Sequence, residues 1–209
     1  MSGYTLWGRP GWGSAIVEAQ LDWYGLAFTY EKVEDLFKTP GAGDRLRKVN
    51  PLAQVPTLVL PDGTVMSESA AITLLLADIT GKDSLVPKAG SPERAKFLRW
   101  LVFLVANIYP TFTYADDPSR FVSVDAARDP FRAATEAYAQ RLWRQVESEA
   151  GAPWFLGERF SALDLYTAVM TRWRPKRGWF ETETPKLFAI ARRADAVPEL
   201  KDVWKRNQP

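Results

Sequence analysis

The stretch from Asn50 to Ile79, NPLAQVPTLVLPDGTVMSESAAITLLLADI, decides how the rest of the chain is read. Thr57 to Leu60 is a short apolar run, Pro61-Asp62-Gly63 a tight turn, and Thr64 to Met66 a second short strand. Asp-Gly between two apolar runs is a strong hairpin signal. Ser67-Glu68-Ser69 then leads into Ile72, Leu75, Leu76 and Ile79, a spacing that predicts one apolar helical face. The predicted order is strand, turn, strand, helix.

Pro56 stands directly before the first of these strands. A proline there gives no ladder hydrogen bond and has access to the cis peptide form. A cis Val55-Pro56 bond would turn the Val55 backbone outward, free to pair with an extended ligand as an added strand does. Glu68 and Ser69 fall at a helix start, where unpaired N–H groups and the dipole favour a carboxylate. A ligand held at both points would be short, peptide-like and anionic. An ordinary hairpin followed by a capped helix would carry the same local signals.

Taken with its spacing, NPLAQVPTLVLPDGTVMSESAAI resembles the glutathione-binding core of the glutathione S-transferase family. The resemblance implies a thioredoxin-like α/β N-terminal domain and an all-α helical C-terminal domain. It implies that Gln54, Val55 and Pro56 contact glutathione, the Val55 backbone pairing with its cysteinyl part. Glu68 and Ser69 would hold the γ-glutamyl end. Lys48, with Arg45 and Arg47 as neighbours, is the chosen cation for the glycyl carboxylate; a solvated charged face is the alternative.

The chain has 209 residues, 46% of them apolar, enough for one large domain or two small ones. Its formal net charge of +2, from 27 basic and 25 acidic residues, gives no electrostatic case for nucleic acid or an acidic membrane. No apolar run has the length of a membrane-spanning helix, and MSGYTLWGRP has no secretory pattern, so a cytoplasmic protein is expected. The chain contains neither Cys nor His. A disulfide, a thiolate nucleophile, a thiolate metal site and a Ser-His-Asp triad are therefore impossible. No metal is expected, and any thiol chemistry must use a thiol brought by the ligand.

Before the central stretch, Tyr4 to Trp7 reads as a first strand. Gly8-Arg9-Pro10-Gly11-Trp12-Gly13 reads as a loop, followed by a helix from Ser14 with Ile16, Val17, Leu21 and Tyr24 on one face. Gly25 can end that helix, and Ala27 to Val33 reads as a second strand, completing a βαβ unit. The glycine loop matches neither GxxxxGK[ST] nor GxGxxG. In the family this loop brings a Tyr, Ser or Cys to the glutathione sulfur. Trp7 and Gly11 occupy two of those places here and supply neither hydroxyl nor thiol. Ser14 is the nearest hydroxyl, so it is the catalytic candidate, with the backbone N–H groups of Trp12 to Ser14 as the alternative. Ser14 is also a natural N-cap.

Gly81 to Gly90, GKDSLVPKAG, reads as a linker, giving domains over residues 1–81 and 91–209. Ser91-Pro92 looks like a helix start. Phe97 to Ile108 predicts a buried helix ended or kinked at Pro110, and Thr111 to Ala126 a loop. Pro130 to Ala150 predicts an amphipathic helix. Ser161 and Asp164 have capping-box spacing, with Phe160 and Leu165 placed for a hydrophobic staple. WFLGERFSALDLYTA, Trp154 to Ala168, also resembles the folding motif of the transferases' helical domain. Pro175 ends the helix that follows the box, and two short helices close the chain.

Two functions follow from the resemblance. One is a detoxifying transferase whose glutathione thiolate attacks a hydrophobic electrophile entering between the domains, against Trp12, Tyr109 and Tyr114. The other is a glutathione-binding or interaction module without conjugating activity, favoured by the residues at Trp7 and Gly11. A homodimer is implied by the resemblance alone.

Overall fold

The computed structural model describes residues 3–207, which divide into two compact units: residues 3–86 with 193–207, and Pro87–Arg192. In the first unit, β1 (Tyr4–Gly8), α1 (Ser14–Tyr24) and β2 (Phe28–Lys32) form a βαβ unit with the two strands parallel. A single turn, α2 (Asp44–Arg47), precedes the hairpin of β3 (Thr57–Val59) and β4 (Val65–Met66), and α3 (Ser69–Thr80) follows. β3 runs antiparallel to both β1 and β4, which gives a mixed sheet in the order β2-β1-β3-β4. This is a thioredoxin-like arrangement.

Side chains alternate across a strand, so β1 serves two faces. Trp7 turns into a cluster with Val33 and Leu46. Leu6 and Gly8 turn the other way, towards α1, where Gly8 lies against Ser14. Leu6, Ile16, Val17, Leu21 and Leu58 are fully buried. Truncating such a leucine to alanine costs about 2–5 kcal/mol. Gly25 and Gly81 end α1 and α3 in the left-handed region, at φ 71° and 64°, which glycine adopts without a Cβ penalty. The buried stripe of α3 is Ile72, Thr73, Leu76 and Ala77, with Ile79 exposed. The helix is thus rotated from the expected face, and the buried Thr73 hydroxyl is satisfied internally by donating to the Ser69 carbonyl at 2.9 Å.

In the second unit, α4 (Arg94–Phe103) passes through a π-helical turn, Leu104–Ile108, into α5 (Tyr109–Asp116). A 3-10 turn, Pro118–Arg120, precedes α6 (Asp125–Glu149); α7 (Ala162–Met170) and α8 (Arg177–Glu183) follow. α9 (Pro185–Asp195) runs past the division between the units. A 3-10 turn, Pro198–Leu200, and α10 (Lys201–Asn207) belong with the first unit. The second unit's core holds Phe97, Trp100, Trp143, Phe155, Tyr166 and Phe180, with Trp100 packed on Phe155 and Trp143 edge-on to Phe180.

Proline misleads at four places here. Pro110 lies in the first turn of α5, directly after the π-helical turn in which the Tyr109 N–H bonds to the Leu104 carbonyl, and the helix continues past it, so most of the expected loop is helix. α6 begins at Asp125 and runs through Pro130. The α4 N-cap is Glu93 rather than Ser91, and α7 stops at Met170, before Pro175. The capping box is present: Asp164 accepts from the Ser161 N–H at 2.7 Å, the Ser161 hydroxyl at 3.2 Å and the Phe155 N–H at 2.8 Å. Burial pushes the Asp164 carboxyl up to about 7, against those three hydrogen bonds. Among the described residues, no helix is long and apolar enough to cross a membrane.

Candidate functional site

Strand register brings three segments to one end of the first unit's sheet. Trp7 pairs with Thr57, so the end of β1 lies beside the start of β3. Leu58 pairs with Met66, so the end of β4 lies beside that same start. The loop leaving β1, the loop entering β3 and the turn from β4 into α3 therefore converge. Ser14, Val55-Pro56 and Glu68-Ser69 belong to these three segments.

The entry to β3 is a polar clamp. Asn50 is buried; its Nδ2 donates to Thr57 Oγ1 at 2.9 Å, and its Oδ1 accepts from the Leu52 N–H at 3.1 Å. The Thr57 hydroxyl donates to the Gln54 carbonyl at 2.7 Å. Val55-Pro56 is cis. Gln54 is exposed, Val55 is half-buried on the Trp7 cluster, and Pro56 is buried.

At the head of α3, Glu68 is exposed and holds φ 63°, ψ 99°, outside the conformations a side chain ordinarily permits. Such strain of about 1–3 kcal/mol persists where the surroundings fix it, often at ligand sites. Ser69 is buried and is the first residue of the helix, among amide groups that have no intrahelical acceptor.

At the head of α1, Gly13 is the N-cap and Ser14 the first helical residue, so Ser14 does not cap. Its hydroxyl accepts from the Arg9 N–H and donates to the Arg9 carbonyl, both at 3.0 Å, and the residue is fully buried. A Cβ at Gly8 would come within 2.5 Å of Ser14 Oγ and 2.7 Å of the Tyr30 hydroxyl, so only glycine fits there. Burial pushes that Tyr30 hydroxyl up to about 12, the nearby Ser14 offsetting part of the effect. The Trp12 N–H is bonded to the Arg9 carbonyl at 3.1 Å. The N–H groups of Gly13 and Ser14 have no acceptor among the described residues. They and the helix dipole favour an anion at this point.

Of the three cations before Asn50, Arg45 pairs with Glu31 and Arg47 with Asp44, at 2.8 and 2.7 Å. Lys48 is exposed and makes no ion pair among the described residues. Trp12 packs on Phe37 with 5.4 Å between ring centroids, and the Arg9 guanidinium lies 5.4 Å from its ring. Tyr109 and Tyr114 do not form one wall. Tyr109 stands edge-on to Trp173 and Phe112, its hydroxyl buried and pushed well above the ordinary range by burial. Tyr114 is exposed and edge-on to Phe121. Among the described residues, no group of three or more acidic, His or Cys side chains is arranged to hold a metal ion.

Sequence reading missed Asn50, Thr57 and Gly8. The first two stand at the ends of the QVP segment, and a polar pair seven residues apart flanking a proline was the available signal.

Residues 14–79 match the family described as glutathione S-transferase, N-terminal domain. The uncharacterized GST-like protein YncG of Escherichia coli strain K12 is 37% identical over 204 residues, covering 97% of this chain and 98% of that protein. Glutathione S-transferase GstA of Escherichia coli O157:H7 is 30% identical over 165 residues, covering 79% of each. Among solved structures, a sphingomonad glutathione S-transferase complexed with glutathione superposes with a TM-score of 0.76 at 26% identity, covering 96% of this chain and 97% of that one.

Proposed function

The chain belongs to the glutathione S-transferase family, and we propose that it binds glutathione at the convergent end of its first sheet and directs the thiolate at a hydrophobic electrophile. The observation that carries this reading is the meeting of the β1, β3 and β4 ends, which gathers one backbone edge and two helix starts. The glutathione bound to the sphingomonad relative supports the same ligand here.

In this reading Gln54 and the Val55 backbone, leading into Pro56, pair with the cysteinyl part. Glu68 accepts from the α-ammonium, and Ser69 donates from its hydroxyl and N–H to the α-carboxylate. Lys48, the uncommitted cation, meets the glycyl carboxylate. A free thiol has a pKa near about 8.5, and the thiolate is the nucleophile. The Gly13 and Ser14 N–H groups, at the positive end of α1, stabilise it. The thiol proton leaves to solvent. The sulfur pair then forms the C–S bond as the leaving group departs with its own pair. Trp12 and Tyr114, each accessible in its own unit, are the proposed aromatic contacts for the electrophile. Tyr109, with its hydroxyl buried, has a supporting place among Phe112 and Trp173. A cytoplasmic homodimer, with residues 1–81 as the glutathione domain and 91–209 as the helical domain, completes the proposal.

One observation favours a glutathione-binding module without conjugation: the Ser14 hydroxyl is committed to Arg9, and Trp7 and Gly11 carry none, so none of these three residues offers a free hydroxyl to the sulfur. Calorimetry with glutathione, paired with turnover of a general aryl halide, separates the two readings. Binding with turnover supports the transferase; binding without turnover supports the module. Ser69→Ala should weaken glutathione binding by roughly ten- to a hundredfold, as expected for one charged hydrogen bond. Unchanged affinity would remove Ser69 from the site.

A further inference from the structure

The loop between β1 and α1 is held from two directions. From within, Arg9 binds the Ser14 hydroxyl and the Trp12 N–H. From outside, Asn207 reaches it from the last turn of α10, 196 residues away. Its Oδ1 accepts from the Gly11 N–H at 3.0 Å. Its Nδ2 donates to Glu18 Oε2 at 2.8 Å and to the Val203 carbonyl at 3.0 Å. Asn207 is 1% exposed and Glu18 3%. Gly11 has φ 78°, a left-handed conformation whose N–H direction an Asn side chain here fixes. Arg206, beside it, pairs with Glu18 and Asp22, both at 2.6 Å, and touches no residue of the loop through these bonds.

We infer that Asn207 is a positioning residue for the thiol-binding loop: by holding Gly11 against α1, it sets where the Gly13 and Ser14 N–H groups point. The inference rests on the proposed glutathione reading. The chemistry requires this, because donors to a developing or resident anion act only within hydrogen-bond reach. Trp12 packs on Phe37, but that ring contact does not direct the Gly11 N–H. Asn suits the task, since one amide supplies an acceptor for the loop and a donor for a buried carboxylate. Arg206 docks the same helix by charge without addressing the loop.

The test compares glutathione bound to parent, Asn207→Ala, Arg206→Ala and the double variant Glu18→Gln/Asn207→Asp. In the double variant donor and acceptor exchange places towards α1, while an acceptor facing Gly11 is kept. Thiolate absorbance against pH gives the bound thiol pKa, and kcat and KM for glutathione are measured alongside. Asn207→Ala is expected to raise the thiol pKa and lower kcat on the order of tenfold at neutral pH, with KM for glutathione little changed. Arg206→Ala is expected to lower Tm and leave the thiol pKa at the parent value. The double variant is expected to restore the parent pKa, and a further variant, Asn207→Gln, which carries the same amide one methylene further out, is expected to raise it as Asn207→Ala does, so the test stays decisive if Asn207→Ala does not fold. If parent lowers the thiol pKa and neither Asn207→Ala nor Asn207→Gln differs from it, the positioning role is overturned while the glutathione reading stands. If parent binds no glutathione or leaves its thiol pKa unchanged, that reading fails and takes this inference with it.

Discussion

Asn50 and Thr57 share a hydrogen bond of 2.9 Å across the loop that enters β3, and the Thr57 hydroxyl in turn donates a hydrogen bond to the Gln54 carbonyl between them. Thr57→Val keeps the shape, removes the partner that the buried Asn50 amide and the Gln54 carbonyl share, and leaves them only their longer mutual bond of 3.4 Å. The expected cost is about 1–3 kcal/mol of unfolding free energy, with weaker glutathione binding through the displaced Val55. Denaturant titration with and without glutathione checks both effects. Full stability together with parent affinity would show that the clamp does not order the loop.

Ser14→Ala removes two hydrogen bonds to Arg9 from a buried position. The variant should lose about 1–3 kcal/mol of stability, because the Arg9 N–H loses its acceptor and the Arg9 carbonyl keeps only the Trp12 N–H. The pKa of bound glutathione thiol should rise only slightly, since the hydroxyl is buried and already paired. A rise of a full unit or more would return the thiol contact to the Ser14 oxygen.

Gly8→Ala places a methyl 2.5 Å from Ser14 Cβ and Oγ. Overpacking of this kind costs about 1–3 kcal/mol. The strand end and the loop share the displacement, so both Tm and glutathione affinity should fall. Parent values for both would mean the Tyr30 and Ser14 side chains move aside without penalty.

Asp164 gives a pH signature. Burial raises its folded-state pKa to about 7, while an unfolded aspartate titrates near about 3.9. The folded state therefore binds the proton more tightly, and this contribution is complete below the unfolded value and lost as pH rises through about 7. Subtracting the Asp164→Asn stability profile from that of parent isolates it. The difference should decline from pH 4 to 7 and then level. A difference that climbs over that range would mean the three donors outweigh burial and hold the carboxylate ionised.

The strands and helix around Pro61-Asp62-Gly63 were legible because hairpin turns and period-2 runs are local signals. So were the ends at Gly25 and Gly81, where a left-handed residue is needed, and the capping box at Ser161 and Asp164. The helices around Pro110 and Pro130 were not legible, because proline's effect depends on which carbonyl it faces. The role of Ser14 was not legible either: its partner is the backbone of Arg9 in an irregular loop, which no periodicity encodes. The family resemblance pointed to Val55-Pro56 and Glu68-Ser69, and strand register brings those two segments together. Asn50, Thr57 and Gly8 emerge only when strand register sets neighbours.

Arg206 and Asn207 close on residues 184 to 196 positions earlier. A ribosome makes the N-terminal segment first, at about 5–20 residues per second, so β1, α1 and β2 spend roughly ten seconds or more outside before α10 exists. Throughout that time the Glu18 carboxylate is without Arg206, and the Gly11 N–H without the Asn207 amide. The first unit to be synthesised is thus the last to be finished, and its glycine loop is set only when the helical unit has already been made.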